Sequence, residues 1–97
     1  MYIHIGNNVI LRKKQVIGIF DMDNATVSPI TRGYLSGEQK AGRVNSVSPL
    51  EIPKSFIVYL ENGKSRVYFS PLSQSSLMGR MREDLKIENF QFSNAKY

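Results

Sequence analysis

The sequence predicts a small α+β domain: a curved antiparallel β-sheet with one or two short helices. Three observations carry that prediction. Short β-branched runs crowd the first 20 residues, Asn62-Gly63 sits between two apolar runs, and Ser28 and Ser73 stand where helix caps belong. A chain of 97 residues has room for one core, and a hydrophobic fraction of 41% is that of a globular chain rather than a disordered one. A single domain is expected over residues 1 to 86. Residues 87 to 97 form a polar C-terminal tail, either a short strand around Phe90 and Phe92 or a flexible end.

Taken in order, Tyr2 to Ile5 reads as an edge strand, followed by strands at Val9-Ile10-Leu11 and at Val16 to Phe20. Gly6-Asn7-Asn8 suits the first connection because Gly and Asn tolerate positive φ. Ser28 as N-cap with Pro29 at the first helical position starts a helix. Its apolar stripe is Ile30, Tyr34 and Leu35, and Gly42 ends it. Arg43 to Ser48 alternates weakly as a strand would, and Pro49 and Pro53 bracket a loop.

The sharpest local signal is Leu60-Glu61-Asn62-Gly63-Lys64-Ser65, where Asn-Gly marks a two-residue type I′ hairpin. That turn sets the register: Glu61 faces Lys64, Val58 faces Val67, Ile57 faces Tyr68 and Phe56 faces Phe69. One face then carries Phe56, Val58, Val67 and Phe69; the other carries Ile57, Tyr59, Arg66 and Tyr68. Two apolar faces place the hairpin centrally, with something packed on each side, a second subunit being one candidate. A further helix follows, capped by Ser73, stapled by Leu72 and Leu77, and striped by Leu77, Met78, Met81 and Leu85.

The catalytic readings fail in turn. Asp21-Met22-Asp23 at a strand end has the form of a phosphatase nucleophile motif, but the chain is too short for the large α/β sheet and the further Lys and Asp motifs. As a calcium loop it fails at Ala25 and Arg32, where oxygen ligands are required. The stretch reads as a turn in which Asp21, Asp23 and Asn24 bond local backbone. His4 is the only histidine and there is no cysteine, so no metal or cofactor site is expected, and the absence of thiols fits a reducing cytoplasm. The serines from Ser70 to Ser76 suit turns and caps, and no glycine-rich phosphate loop is present. Met1 to Ile5 lacks the form of a signal peptide, and no apolar stretch nears the roughly 20 residues of a membrane span. The expectation is a cytoplasmic protein that is not an enzyme.

What remains is charge. Thirteen Lys and Arg against eight Asp and Glu give +5, an excess that favours an anionic partner. Arg12, Lys13 and Lys14 lie together between two apolar runs, followed by Gln15; Arg32, Lys40, Arg43 and Lys54 are scattered further on. Such residues in a basic domain suit contacts to DNA phosphates, although solvated turn charges would look the same.

The phrases "YIHIGNNVI", "VIGIF", "SPITRGYLSG" and "SFIVYLENGKSRVYFSPLSQSSLMGRM", in this order, resemble the Rem family of bacterial extracellular-matrix regulators over residues 1 to 82. The likeness is closer to its RemB branch than to its RemA branch. It implies a LytTR-like domain and a DNA-binding transcriptional regulator of biofilm-matrix genes. It also implies self-assembly into a homo-oligomer, such as a ring around which double-stranded DNA could wrap. Where RemA-like members carry an arginine before the strand matching Val16 to Ile19, this chain has Gln15. Where they carry an arginine pair before the strand matching Phe56 to Val58, it has Glu51 and Ile52, with Lys54 alone basic. The nucleic-acid-binding set is accordingly Arg12, Lys13, Lys14, Gln15, Arg32, Arg43 and Lys54. The alternative is an oligomeric protein-interaction module that does not bind DNA and pairs with a paralogous regulator.

Overall fold

The computed structural model describes residues 1–82. Strands β1 (Tyr2–Gly6) and β2 (Val9–Arg12) form a two-stranded antiparallel ribbon. A 3-10 turn, Lys13–Gln15, leads into β3 (Val16–Asp21). One helical turn, α1 (Met22–Ala25), and the longer helix α2 (Pro29–Lys40) follow, then β4 (Val44–Ser46), β5 (Ser55–Glu61) and β6 (Lys64–Ser70). A third helix, α3, begins at residue 74 and is helical through residue 82.

The α+β class stands, but the one antiparallel sheet expected from the sequence is two sheets, and the larger is mixed. Its order is β3-β5-β6-β4, with β5 antiparallel to β3 and β6, and β4 parallel to β6. The cause is α2, which carries the chain back along the sheet, so that β4 starts at the same end as β3. The hairpin β5–β6 is inserted between these two parallel strands. Three helices are described, not one or two, because α1 closes a helical turn where only a polar turn was expected.

That hairpin has the register read from the sequence, from Glu61↔Lys64 through Phe56↔Phe69. Asn62 and Gly63 lie at φ 51° and 79°, the left-handed pair that a type I′ turn requires. Both of its faces are covered by the chain itself, so no second subunit is needed to bury them. On one face, Leu35 of α2 packs with Phe56 and Val67, joined by Met22 and Ala25 of α1. On the other, Ile3, Ile5 and Leu11 of the ribbon and Leu77 of α3 pack with Ile19, Ile57 and Tyr59.

Capping follows the expected chemistry. Ser28 Oγ accepts from Thr31 N at 3.4 Å and Gly42 ends α2 at φ +73°. Ser73 Oγ accepts from Ser76 N at 3.1 Å, and half-buried Leu72 joins Leu77 in the core as the staple. Asp21 accepts from Asn24 N at 2.8 Å, capping α1; Asp23 and Asn24 show no such side-chain bond among the described residues.

Two helix stripes need correction. On α2 only Leu35 of the expected three is buried; Ile30 is 85% exposed and Tyr34 lies at the surface, because Glu38 occupies the inward position one turn beyond Leu35. On α3, Met78 faces outward while Leu77 and Met81 meet the core. Leu85, the domain boundary at residue 86 and the tail with Phe90 and Phe92 lie outside the described residues.

Two buried serines tie the layers together, a role that turn and cap chemistry did not foresee. Ser55 and Ser70 pair across β5–β6. Ser55 Oγ donates to the Leu72 carbonyl at 2.7 Å. Ser70 Oγ donates to the Ile5 carbonyl at 2.6 Å and accepts from Leu72 N at 3.1 Å. Ribbon, sheet and the approach to α3 thus meet at one satisfied polar point.

Candidate nucleic-acid interface

The register of the mixed sheet sorts the predicted cations by position. Val16 pairs with Tyr59, Glu61 with Lys64 and Val44 with Val67, so β3, β6 and β4 all begin at the end where β5 finishes. Arg12 to Gln15 precede β3 and Arg43 precedes β4, which puts both groups at that end. Arg32 and Lys54 are at the other. Lys54 N donates to the Ser70 carbonyl and its own carbonyl accepts from Met22 N, fixing it beside α1. Arg32 Nη1 donates to the Thr26 and Val27 carbonyls at 2.8 and 3.0 Å, closing the link between α1 and α2.

Within the first group the four consecutive side chains have different occupations. Arg12 and Lys14 are exposed, and neither side chain has a hydrogen bond or ion pair among the described residues. Lys13 Nζ donates to the carbonyls of Arg80 and Met81 at 3.1 and 2.9 Å, so its ammonium clasps α3. Gln15 Oε1 accepts from the Tyr59 hydroxyl at 2.9 Å. Met1, Tyr2, Arg12, Lys14 and Gln15 line a shallow cavity of ≈ 450 Å³.

Arg43, at the opposite sheet edge, is committed. Its Nη2 and Nε lie 3.0 and 3.2 Å from Glu38 Oε1, and Ser65 Oγ donates to Glu38 Oε2 at 2.9 Å. The Arg43 hydrogen bond holds the Glu38 carboxyl below its usual range against the opposing effect of burial, with Ser65 adding to the lowering. Glu38 in turn raises the Arg43 pKa, through the same hydrogen bond first. Arg66 is paired with Glu61 at 2.8 Å.

Two further cations share this end. Lys64 stands in the hairpin, and its neighbours Asn62 and Ser65 line one cavity with Ala41 and Gly42 at the end of α2, beside Lys40. Both lysines are exposed and, among the described residues, without side-chain partners. In the sequence Lys40 is one of several scattered charges and Lys64 only a hairpin residue. Their shared position needs the β4–β6 pairing, which no local pattern reveals. An end presenting Arg12, Lys14, Lys40 and Lys64 can contact anions at several points, over about 14 Å if three strand spacings separate its edges.

No protein-family model matches the chain. It is 37% identical over 89 residues to extracellular matrix regulatory protein B of Bacillus subtilis (strain 168), an alignment covering 92% of this chain and 100% of that protein. The chain belongs to the Rem family. The RemB branch is the side on which this Rem chain stands, as its opening strands and hairpin phrase imply. No helix of the described residues is long and apolar enough to cross a membrane.

Proposed function

We propose that this Rem-family chain is a cytoplasmic transcriptional regulator of extracellular-matrix (biofilm) genes that binds double-stranded DNA as a homo-oligomer, through phosphate contacts. The observation that carries the reading is that Arg12 and Lys14 are exposed and, among the described residues, without side-chain partners, at the sheet end that also presents Lys40 and Lys64. The matrix role is the one the relative's name carries; the +5 charge supplies the attraction to a polyanion. In this reading affinity comes from counterion release and from repetition of a weak patch over several subunits. Arg43, held by Glu38, and Lys13, held by α3, act as supports of this surface rather than as phosphate contacts.

The test is a salt-titrated fluorescence anisotropy measurement on duplex DNA. Arg12→Glu with Lys14→Glu should weaken binding and flatten the salt dependence by about 0.9 in log–log slope for each phosphate no longer neutralised. Salt-insensitive binding, or no binding by the unaltered chain, overturns the reading.

A second reading has its own observation. In the loop between β4 and β5, Leu50 is 102% and Ile52 is 88% exposed. Two such apolar side chains at a loop tip suit a protein surface, either another copy or a paralogous regulator, and an oligomeric module without DNA affinity would need nothing else. Recovery of a defined paralogue by the chain in nuclease-treated solution, with no DNA shift, would favour it.

A further inference from the structure

The side chains of the β2–β3 connection alternate between solvent and anchor. Arg12 and Lys14 point out, whereas Lys13 reaches α3 and Gln15 reaches the sheet. The sheet anchor is Tyr59, only 6% exposed, with its ring in the core beside Ile57 and Leu77 and edge-on to Tyr68 at 5.9 Å. Its hydroxyl donates to Gln15 Oε1 at 2.9 Å and accepts from the Arg12 backbone N–H at 3.1 Å. One buried oxygen therefore bonds both ends of the connection, the residue that closes β2 and the residue that precedes β3.

We infer that Tyr59, acting through Gln15 and the Arg12 amide, is a positioning residue that holds Arg12 and Lys14 in the spacing their anionic ligand needs. The inference rests on the DNA reading proposed above. Tyr59 is too deep to touch a duplex, so its effect must pass through the connection. Fixing the backbone of Arg12 to Gln15 before binding removes an ordering cost that a loose connection would carry into the complex. It also gives Gln15 a role that charge alone could not suggest: its Oε1 is the acceptor for Tyr59.

Tyr59→Phe keeps the ring and removes only the shared oxygen; Gln15→Leu removes the acceptor from the other side. Each should weaken binding to a duplex oligonucleotide by about two- to tenfold, the range for one missing hydrogen bond. Each should leave the salt slope unchanged, because both cations remain. The doubly substituted chain should bind no more weakly than the worse single variant, since the same bond is removed twice. Arg12→Gln, by contrast, should lower the slope. Amide hydrogen exchange is the second readout. The Arg12 amide should exchange faster in Tyr59→Phe, while amides of the β5–β6 hairpin keep their protection.

Wild-type affinity in Tyr59→Phe, or additive losses in the double variant, overturns the inference. So does a reduced slope, which would make the removed group a direct contact. If the unaltered chain fails to bind DNA, the functional reading falls, and the inference falls with it as a statement about ligand binding. The exchange measurement then still decides whether Tyr59 orders the connection.

Discussion

The two ends of the mixed sheet are built from the same strands and expose different chemistry, although Arg32 and Lys54 put two exposed cations at the second end as well. At the end where β5 finishes, Arg12, Lys14, Lys40 and Lys64 are exposed cations, while Arg43 and Arg66 are held by Glu38 and Glu61. At the other end, the loop between β4 and β5 exposes Leu50 and Ile52, and the link into α2 exposes Val27 and Ile30. Strand alternation cannot produce this difference, because it distributes side chains between faces rather than ends. It comes from the connections. The hairpin tip and the β2–β3 connection are polar, while the loop bounded by Pro49 and Pro53 carries its apolar residues where no strand can take them in. The division suits a subunit that meets a polyanion at one end and protein at the other.

A single packed sheet joins the two ends, so the largest expected effect comes from breaking its middle. Phe56 is 2% exposed, packs against Leu35 and Val67, and stacks on Phe20 at a centroid distance of 5.2 Å. Phe56→Ala should cost about 3–5 kcal/mol of stability in denaturant unfolding, and both ends should unfold together. Unfolding of one end alone would mean that they fold as separate units. Next is Ser70→Ala, which leaves the Ile5 carbonyl and the Leu72 amide without their buried partner. About 1–3 kcal/mol is expected. The loss should appear first as faster hydrogen exchange in the ribbon, away from the hairpin tip.

These two substitutions also mark what was legible in the sequence. The β5–β6 hairpin could be read in full, because Asn62-Gly63 sets the turn and the turn sets every pair after it. The caps of α2 and α3 were equally local. The parallel seating of β4, the split of the first strands into a separate ribbon and the inward turn of Glu38 were not legible, since each depends on residues distant in sequence. The candidate site divides in the same way. Arg12 and Lys14 could be found as a charge run. That Lys13 and Gln15 bond other parts of the chain, and that Arg32 and Lys54 lie at the opposite end of the sheet, required the register. Lys13 is bonded to residues more than 60 positions away, which no spacing rule reaches.

A smaller effect is expected at Glu38. Its carboxyl is held below the usual value by Arg43, so the ionised form is favoured in the folded state. The associated stability is therefore present above the unfolded-state pKa, about 4.3, and is lost as the pH falls through the lower folded value. Thermal unfolding followed from pH 6 down to pH 3 should show this loss in the unaltered chain and not in Glu38→Gln. The effect is modest because the Arg43 side chain is 40% exposed and solvent screens the pair. If Arg43 instead served as a phosphate contact, Glu38→Gln would free it and strengthen DNA binding. Unchanged affinity in that variant keeps Arg43 as a support.

The smallest effect on stability, and the most direct probe of the other end, is Leu50→Ser with Ile52→Ser. Both side chains already stand in solvent, so their replacement should change the unfolding free energy of a subunit by no more than about 0.5 kcal/mol. Apolar burial between subunits would give a different result in light scattering. The unaltered chain should run as an oligomer and the double variant as a smaller species at equal concentration. DNA affinity should fall with the particle mass, because a repeated weak patch loses avidity when its copies separate. The salt slope should fall as well, since fewer phosphates are engaged at once. An unchanged mass would leave the loop free for a different protein partner, and would mean that any multiplicity of the basic end arises through another surface. The two ends can therefore be separated by one pair of substitutions that leaves the core, the hairpin and the Arg12 to Gln15 connection untouched.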